Sequence, residues 1–356
     1  MTPKLPQRVF TKVDLETLIK KEHGKLYKKS DFYRPISIAI QGNNYCSLGT
    51  CPGCGISSSN KKNECVQLPK ELILDLLKQA RKERILIYYT NFTGEITDDL
   101  DFLGVMLKNN PLMDAHKINT NCEKFSSVKK AKEILTKLKN LGWTRTNYVT
   151  PTFILSVGMQ QHKVPLKNVI NGVKAFREVF KENEAHLLIS HYYTPTLYND
   201  TLSEFKKLYK STFKEPINDD LIKTEPVQAF GRARNYSKEH FEEKPLKEFC
   251  SKLNCFSYWA KKYLSPEIYV HRDGSIYTCP LFEPHEALKL GNAKKDSLKK
   301  AIKNANSNKF LRDIATIGTK GIYDKLVKKH PELKKIKVTN RHEACKVLSE
   351  YYPNPL

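Results

Sequence analysis

The sequence predicts an α/β fold, a parallel sheet covered by helices, followed by a smaller α+β region. Three observations predict it. Short apolar runs alternate with segments whose apolar residues recur at helical spacing, giving at most six β-α steps. The strand candidates read as continuous apolar runs, the pattern of strands buried on both faces of a parallel sheet. After about residue 240 the alternation stops and a hairpin pattern replaces it. This divides the chain into an N-terminal extension (1–35), a parallel β/α domain (36–238) and a C-terminal domain (239–356).

Residues 1–35 are polar and basic, with one short helix expected at 14–23. Residues 36–40 are the first strand. Leu72, Ile73, Leu76, Leu77 and Ala80 form a helical stripe behind Pro69, a residue suited to a first helical turn. Residues 85–89 are the second strand, running into Gly94-Glu95. A helix is expected at 96–108, a strand at 118–121, and a helix presenting Val128, Ala131, Leu135 and Leu138. A strand at 152–157 precedes a helix carrying Val169, Val173, Phe176 and Phe180. A strand at 185–189 precedes a helix carrying Leu202, Phe205 and Tyr209, and the sixth strand falls at 221–227. Residues 267–279 read as a hairpin turning at Asp273-Gly274. Three short helices, and no further strand, are expected after it.

The chain has 356 residues, 40% hydrophobic and 28% charged, the balance of a globular protein. It contains no apolar run of about 18 residues, so no membrane span is expected. The N-terminus lacks the apolar stretch of a secretory signal, which makes the cytosol the expected compartment. The net charge of +23 suits an anionic partner, or a solvated helical surface such as Lys129, Lys130, Lys132, Lys137 and Lys139. No nucleic-acid-binding motif accompanies it, so no nucleic-acid partner is expected.

The chemistry is concentrated in Cys46-x4-Cys51-x2-Cys54, directly after the first strand. Three thiolates can hold a metal but cannot complete a four-ligand structural zinc site. Either a fourth ligand comes from elsewhere, Cys65 being the nearest cysteine, or a position is left open. In parallel β/α folds the chemistry sits at the carboxyl ends of the strands. The cysteine loop, Gly94-Glu95, residues 119–122 and residues 158–162 all fall at such ends and would share one mouth. Glu95 has two readings, an acid at a helix start or an anion for a buried cation.

Assembled, these residues resemble the radical S-adenosylmethionine (SAM) superfamily with a C-terminal twitch or SPASM-type auxiliary domain, over about residues 36–345. The resemblance implies a partial (β/α)6 TIM-like barrel. It also implies that Cys46, Cys51 and Cys54 hold a [4Fe–4S] cluster whose fourth iron binds SAM. The spacing between the first two cysteines is one residue longer than the commonest family pattern, and Gly53 stands where an aromatic residue is usual. Gly94-Glu95 is similar to the end of the motif that binds the SAM amino group. Asn119-Thr120-Asn121-Cys122 is similar to a Thr-Asn-Gly stretch, with Cys122 in place of the glycine, and Ser156 matches a serine near the SAM ribose. Gly231-Arg232-Ala233 is similar to a structural stretch after the sixth strand.

In the C-terminal domain, Cys255 and Gly274-x4-Cys279 resemble the auxiliary pattern, as do Leu290-Gly291-Asn292 and Ser297-Leu298. With Cys250 and Cys345 they supply four thiolates for one auxiliary [4Fe–4S] cluster of the twitch type. The implied activity is that of a radical SAM oxidoreductase or maturase. It would cleave SAM reductively, abstract a substrate hydrogen and make an oxidative modification, with a peptide favoured over a small molecule such as an aminosugar. A reduced flavodoxin- or ferredoxin-type electron donor is implied. Two cysteines are left over. Cys65 is expected to be simply buried, and Cys122 to meet substrate or donate a hydrogen atom. The competing reading is a non-enzymatic protein with zinc at Cys46, Cys51, Cys54 and Cys65 and at Cys250, Cys255, Cys279 and Cys345. Its positive charge would then bind nucleic acid.

Overall fold

The computed structural model describes residues 32–33, 35, 37–52, 54, 57–85, 87–89, 94–109, 117–144, 150–159, 161, 163–194, 196–197, 199–227, 233, 240–250, 267–278 and 288–353. The expected helix at 14–23 lies outside these residues, as do Gly53, Gly231-Arg232, Cys255 and Cys279.

The expected alternation is present. The elements run β1 (Ser37–Ile40), α1 (Lys70–Lys82), β2 (Ile87–Tyr89), α2 (Leu100–Asn109), β3 (Lys117–Thr120), α3 (Val128–Asn140), β4 (Thr152–Gly158), α4 (Leu166–Val179), β5 (His186–Tyr193), α5 (Asn199–Phe213) and β6 (Ile222–Pro226). β1 pairs in parallel with β2, and β3 to β6 pair in parallel in chain order. Among the described residues no ladder joins β2 to β3.

One expected helix is divided. The Glu95 carboxylate caps a short 3-10 helix, Ile96–Asp98. Asp99 then breaks the run with φ of −140°, and its carboxylate accepts the Phe102 amide at 3.1 Å to start α2. Two acids four residues apart, Glu95 and Asp99, each accept a backbone amide at a helix start, which accounts for the break.

The C-terminal residues add β7 (Lys244–Pro245), α6 (Leu246–Phe249), β8 (Glu267–Val270), β9 (Ser275–Tyr277), β10 (Lys289–Asn292), α7 (Leu298–Ser307), α8 (Lys309–Leu326), β11 (Lys337–Val338) and α9 (Arg341–Glu350). The hairpin is where the sequence places it, as β8 and β9. The expectation of no later strand is corrected: β10 pairs with β9, and β11 pairs with β7. Residues 289–292 read Lys-Leu-Gly-Asn and lack alternation, so only tertiary pairing makes them a strand. α8 is 18 residues long rather than short, broken at Gly318 with φ of 69°.

β8 does not stand apart. It pairs in parallel with β1, from Ser37 opposite Glu267 to Ile40 opposite Val270. The first sheet therefore runs β10-β9-β8-β1-β2. One apolar core joins Ile38, Ile40, Leu76, Ile268, Val270, Leu298 and Phe310 across it. A second core lies between β3–β5 and the helices α2–α5. Its centre is aromatic: Phe153 stacks with Phe125 and Phe176 at 6.2 and 6.0 Å and meets Trp143 edge-on at 5.9 Å. Lys129, Lys130, Lys132 and Lys137 are exposed on α3, whereas Lys139 reaches Glu184 at 2.6 Å and the Val179 carbonyl at 3.0 Å. Among the described residues no helix is long and apolar enough to cross a membrane.

Phe153 has no exposed surface and meets three other rings. Phe153→Ala is expected to cost about 3–5 kcal/mol, read as a lowered urea midpoint at unchanged slope.

Candidate functional site

The loop between β1 and α1 folds back on itself. Asn43 bridges to Gln67, the Leu68 amide donates to the Gly42 carbonyl at 2.9 Å, and the Cys46 amide donates to the Ser59 carbonyl at 2.9 Å. The Asn44 side chain accepts the Val66 amide at 2.9 Å, tying the outgoing limb to the returning one. Between Cys46 and Cys51, Gly49 takes a left-handed φ of 50°. A Cβ there would lie 2.3 Å from the Asn60 nitrogen, so only glycine fits this turn. This is how the longer Cys46–Cys51 spacing is accommodated.

Gly94 and Glu95, which follow β2 in the chain, are pressed against this loop. The Gly94 amide donates to the Asn43 carbonyl at 3.1 Å and the Glu95 amide to the Tyr45 carbonyl at 2.9 Å. A Cβ on Gly94 would sit 1.5 Å from the Tyr45 carbonyl oxygen. Glu95 is thereby buried, with 6% of its surface exposed. One carboxylate oxygen accepts the Thr97 amide at 3.2 Å and its hydroxyl at 2.7 Å; the other accepts the Asn121 amide at 2.9 Å. Burial pushes the Glu95 carboxyl above its ordinary range, opposed by these hydrogen bonds. Both sequence readings of Glu95 therefore keep a basis: it caps a short helix, and it is a buried acid that no cation pairs with among the described residues.

Asn121 closes the circle. Its side-chain Nδ2 donates to Cys46 Sγ at 3.4 Å. The Cys46 thiol is pushed up to about 12, first by burial and then by Glu95. In the metal-free chain it keeps its proton, which a bound metal would displace. Cys51 and Cys54 are half-buried, and Cys54 Sγ accepts the Ser58 amide at 3.4 Å. Two of the three sulfurs thus accept N–H bonds, as thiolate ligands of an iron–sulfur cluster do.

Among the described residues, no three His, Cys, Asp or Glu side chains converge closely enough to hold one metal ion. That gives no support to zinc at Cys46, Cys51, Cys54 and Cys65, whose four sulfurs would have to surround one ion. The donor set does suit a four-iron cluster, in which each thiolate takes a different iron and the sulfurs stand further apart.

Three residues that sequence reasoning missed hold the loop. Asp98 accepts the Ser47 amide at 2.7 Å and pairs with Lys124 at 2.6 Å, its side chain only 3% exposed. Lys124 also donates to the Thr97 carbonyl at 3.0 Å. The Ser47 hydroxyl donates to Glu123. The only signal was their position next to Glu95 and Asn121-Cys122, where acids at helix starts are commonplace.

Asn119 and Ser156 are brought together: the Ser156 hydroxyl donates to Asn119 Oδ1 at 2.7 Å. Asn119 Nδ2 donates to the Tyr192 hydroxyl at 3.2 Å, adding a third strand to the lane. Gly158, at the end of β4, pairs with Tyr192; Gln160 and His162 lie outside the described residues.

Cys122 lies beside the same residues, with Glu95 and the Ser156 backbone acting on its thiol, but it is closed off from solvent. It is 0% exposed in the second core, its thiol donating to the Thr120 carbonyl at 3.7 Å. Its φ of 65° is the left-handed value that a glycine adopts freely. As placed it is a packed turn residue that a substrate could reach only by opening the core. Cys65, expected to be simply buried, is half-exposed at the loop rim, where its thiol donates to the Lys61 carbonyl at 3.2 Å. Cys250 follows α6 and Cys345 lies in α9; both are buried, and α6 packs against α9. Burial, then Asp324, pushes the Cys250 thiol up to about 12.

No protein-family model matches the chain, and no curated protein matches it. Solved structures with a related course include "Native anSMEcpe with bound AdoMet and Cp18Cys peptide", 15% identical, covering 89% of this chain and 96% of that one with a TM-score of 0.49. Another is "BtrN in complex with AdoMet and 2-DOIA", 13% identical, covering 86% and 95% with a TM-score of 0.42. A third is the FeFe-hydrogenase maturase HydG from Carboxydothermus hydrogenoformans, 13% identical, covering 97% and 84% with a TM-score of 0.38. Likenesses of this size decide nothing about activity.

Gly94→Ala cannot keep the contact with Tyr45, so the second strand end must lift from the loop. The expected outcome in the metal-free chain is alkylation of Cys46 at least about tenfold faster, as its burial is lost. Peptide mapping after a timed iodoacetamide pulse measures it.

Proposed function

We propose that this chain is a radical SAM enzyme. The observation that carries the reading is the meeting of Cys46, Glu95 and Asn121 beyond the ends of β1, β2 and β3, beside the loop that carries Cys46, Cys51 and Cys54. Cys46, Cys51 and Cys54 would hold a [4Fe–4S] cluster and leave one iron for SAM. When bound, the cluster and SAM supply reductive cleavage of SAM and a radical able to take a hydrogen atom from substrate.

The residues have separable tasks. Glu95, buried and held by Thr97 and the Asn121 amide, would receive the SAM ammonium; a bound cation there would favour its ionised form and make the bond charge-assisted. Asn119 and Ser156, bonded to each other, would orient the ribose, with Tyr192 fixing the Asn119 amide. Asp98, Glu123 and Lys124 would hold Ser47, and through it Cys46, at a fixed place. In a chain of net charge +23, Glu95, Asp98 and Glu123 stand around Cys46 and Ser47, surroundings that would suit a sulfonium and an ammonium. A partly open parallel sheet with its polar lane on the strand ends suits a substrate that must be shielded from water.

The finer reading is a maturase that modifies a peptide oxidatively. Cys250, Cys255, Cys279 and Cys345 would hold an auxiliary cluster able to accept an electron, and a flavodoxin- or ferredoxin-type protein would be the donor. The positive surface would suit an acidic peptide. The buried placement of Cys250 and Cys345 on packed helices is compatible with a shielded cluster.

Anaerobic purification is expected to give about eight irons and matching sulfide per chain. Zinc without sulfide would overturn the reading, and so would no 5′-deoxyadenosine on addition of SAM and reductant. Cys51→Ala should lose about half the iron and all 5′-deoxyadenosine formation. Glu95→Gln should keep its iron but bind SAM about 10- to 100-fold more weakly, the value of one hydrogen bond to a charge at about 1.5–3 kcal/mol. Equilibrium dialysis with SAM reads it directly.

A further inference from the structure

Two asparagines, Asn168 and Asn171, are buried in α4 among Val169, Ile170 and Val173. Asparagine is a weak helix former, and a buried amide needs a partner. Each of the two finds it outside the helix, in the turn that follows β3. Asn171 Nδ2 donates to the Phe125 carbonyl at 2.8 Å. Asn168 Nδ2 donates to two successive carbonyls, that of Cys122 at 3.1 Å and that of Glu123 at 3.2 Å. Both N–H groups of one side-chain amide are thus engaged by one short stretch of backbone.

That stretch needs holding. Cys122 has a left-handed φ of 65°, a conformation costly for a residue with a Cβ. Backbone of this kind persists where its surroundings fix it. From within the turn, the Cys122 amide donates to the Thr120 hydroxyl and the Phe125 amide to the Cys122 carbonyl, both at 3.1 Å. From outside, Asn168 grips the two carbonyls that flank the strained residue's exit.

The same turn carries the site. Asn121 Oδ1 accepts the Glu123 amide at 2.8 Å. This sets the Asn121 side chain, whose Nδ2 donates to Cys46 Sγ, while the Asn121 amide donates to Glu95. Glu123 also accepts the Ser47 hydroxyl. A shift of the Cys122 and Glu123 carbonyls would therefore move the donors to Glu95 and Cys46 together. Phe125 serves the second core instead, its ring stacked on Phe153. Asn168 and Asn171 make the same kind of bond from the same helix, one to the site's part of the turn and one to the core's part.

We propose that Asn168 is a positioning residue for the SAM-binding site, fixing the 121–123 turn from α4 so that Glu95 and Cys46 keep their places. The inference rests on the function proposed above. The residue acts through two backbone carbonyls, as the outer partners of a ligand set act through the ligands.

Asn168→Ala and Asn171→Ala, made in the full chain, separate this role from a structural one. Each strips a donor from buried carbonyls, so both should lower the urea midpoint. In the metal-free chain, a timed iodoacetamide pulse is expected to label Cys46 at least about fivefold faster in Asn168→Ala, as the Asn121 contact loosens. In the iron-loaded chain, equilibrium dialysis should show SAM bound about tenfold more weakly by Asn168→Ala, with iron retained. Asn171→Ala should stay within about twofold of the parent in both measurements. Equal changes in both variants mean general loosening and overturn the proposal, as does an Asn168→Ala chain that labels and binds like the parent. Faster labelling without weaker SAM binding, or the reverse, overturns it too. Loss of iron from Asn168→Ala alone supports it, because Cys46 is then displaced. Should Asn168→Ala not fold, Asn168→Ser is read by the same criteria, and failure of both to fold makes the residue merely structural and overturns the proposal. A parent chain that takes up no iron and binds no SAM overturns the functional reading instead; it is seen before either variant is made, and the metal-free labelling of Cys46 still tells the two asparagines apart.

Discussion

The site depends on one close backbone approach. Gly94 lies so near the Tyr45 carbonyl that no side chain could stand between them, and the next amide, that of Glu95, donates to the same carbonyl. This contact brings the end of the second strand onto the loop of the first. Glu95 loses its water because of it, and its carboxylate then finds Thr97 and the Asn121 amide. Asn121 in turn reaches Cys46. Three strand ends are thus linked through a single carboxylate and a single asparagine. Glycine is needed at 94 for space rather than for φ, which separates it from Gly49, where both apply.

The second constraint is the parallel pairing of β8 with β1. A four-residue strand is short, yet every residue of β1 is buried because neighbours flank it on both edges and helices cover it. The described C-terminal residues therefore complete the first sheet and share its core. The hairpin turn is set against the start of the cysteine loop for the same reason. Geometry at the site is inherited from register: once Ser37 lies opposite Glu267, Gln41 must meet the turn that carries Arg272.

Charge is distributed by environment rather than evenly. Lys129, Lys130, Lys132 and Lys137 of α3 are exposed, a solvated face that needs no binding motif. The acids near the loop are in a different state. Asp98 is almost wholly enclosed and paired with Lys124, and Glu95 is enclosed with only neutral donors around it. A buried carboxylate without a cation is costly, and its persistence here is what makes the Glu95 position more than a helix cap.

The alternation of strands and helices was legible in the sequence because its periodicities are local: Leu72 to Ala80 and Val128 to Leu138 each show a helical stripe that needs no partner to recognise. That the cysteine loop, Gly94-Glu95 and residues 119–122 follow strands was legible too, since a parallel β/α pattern orders its loops; that Asn121 rather than Asn119 meets Cys46 and Glu95 was not. What the sequence could not determine rests on contacts between distant residues. The break at Asp99, the β10 strand and the pairing of β8 with β1 arise from competition among caps and sheet edges that no local pattern reports. The roles of Asp98, Glu123, Lys124 and Tyr192 come from where their neighbours lie, not from their own spacing. Cys122 makes the division plain. By sequence it stands at a strand end like the site residues, and it does lie beside Glu95 and Ser156, but a left-handed φ leaves its thiol wholly enclosed. Backbone conformation, not position along the chain, decides which way a side chain faces.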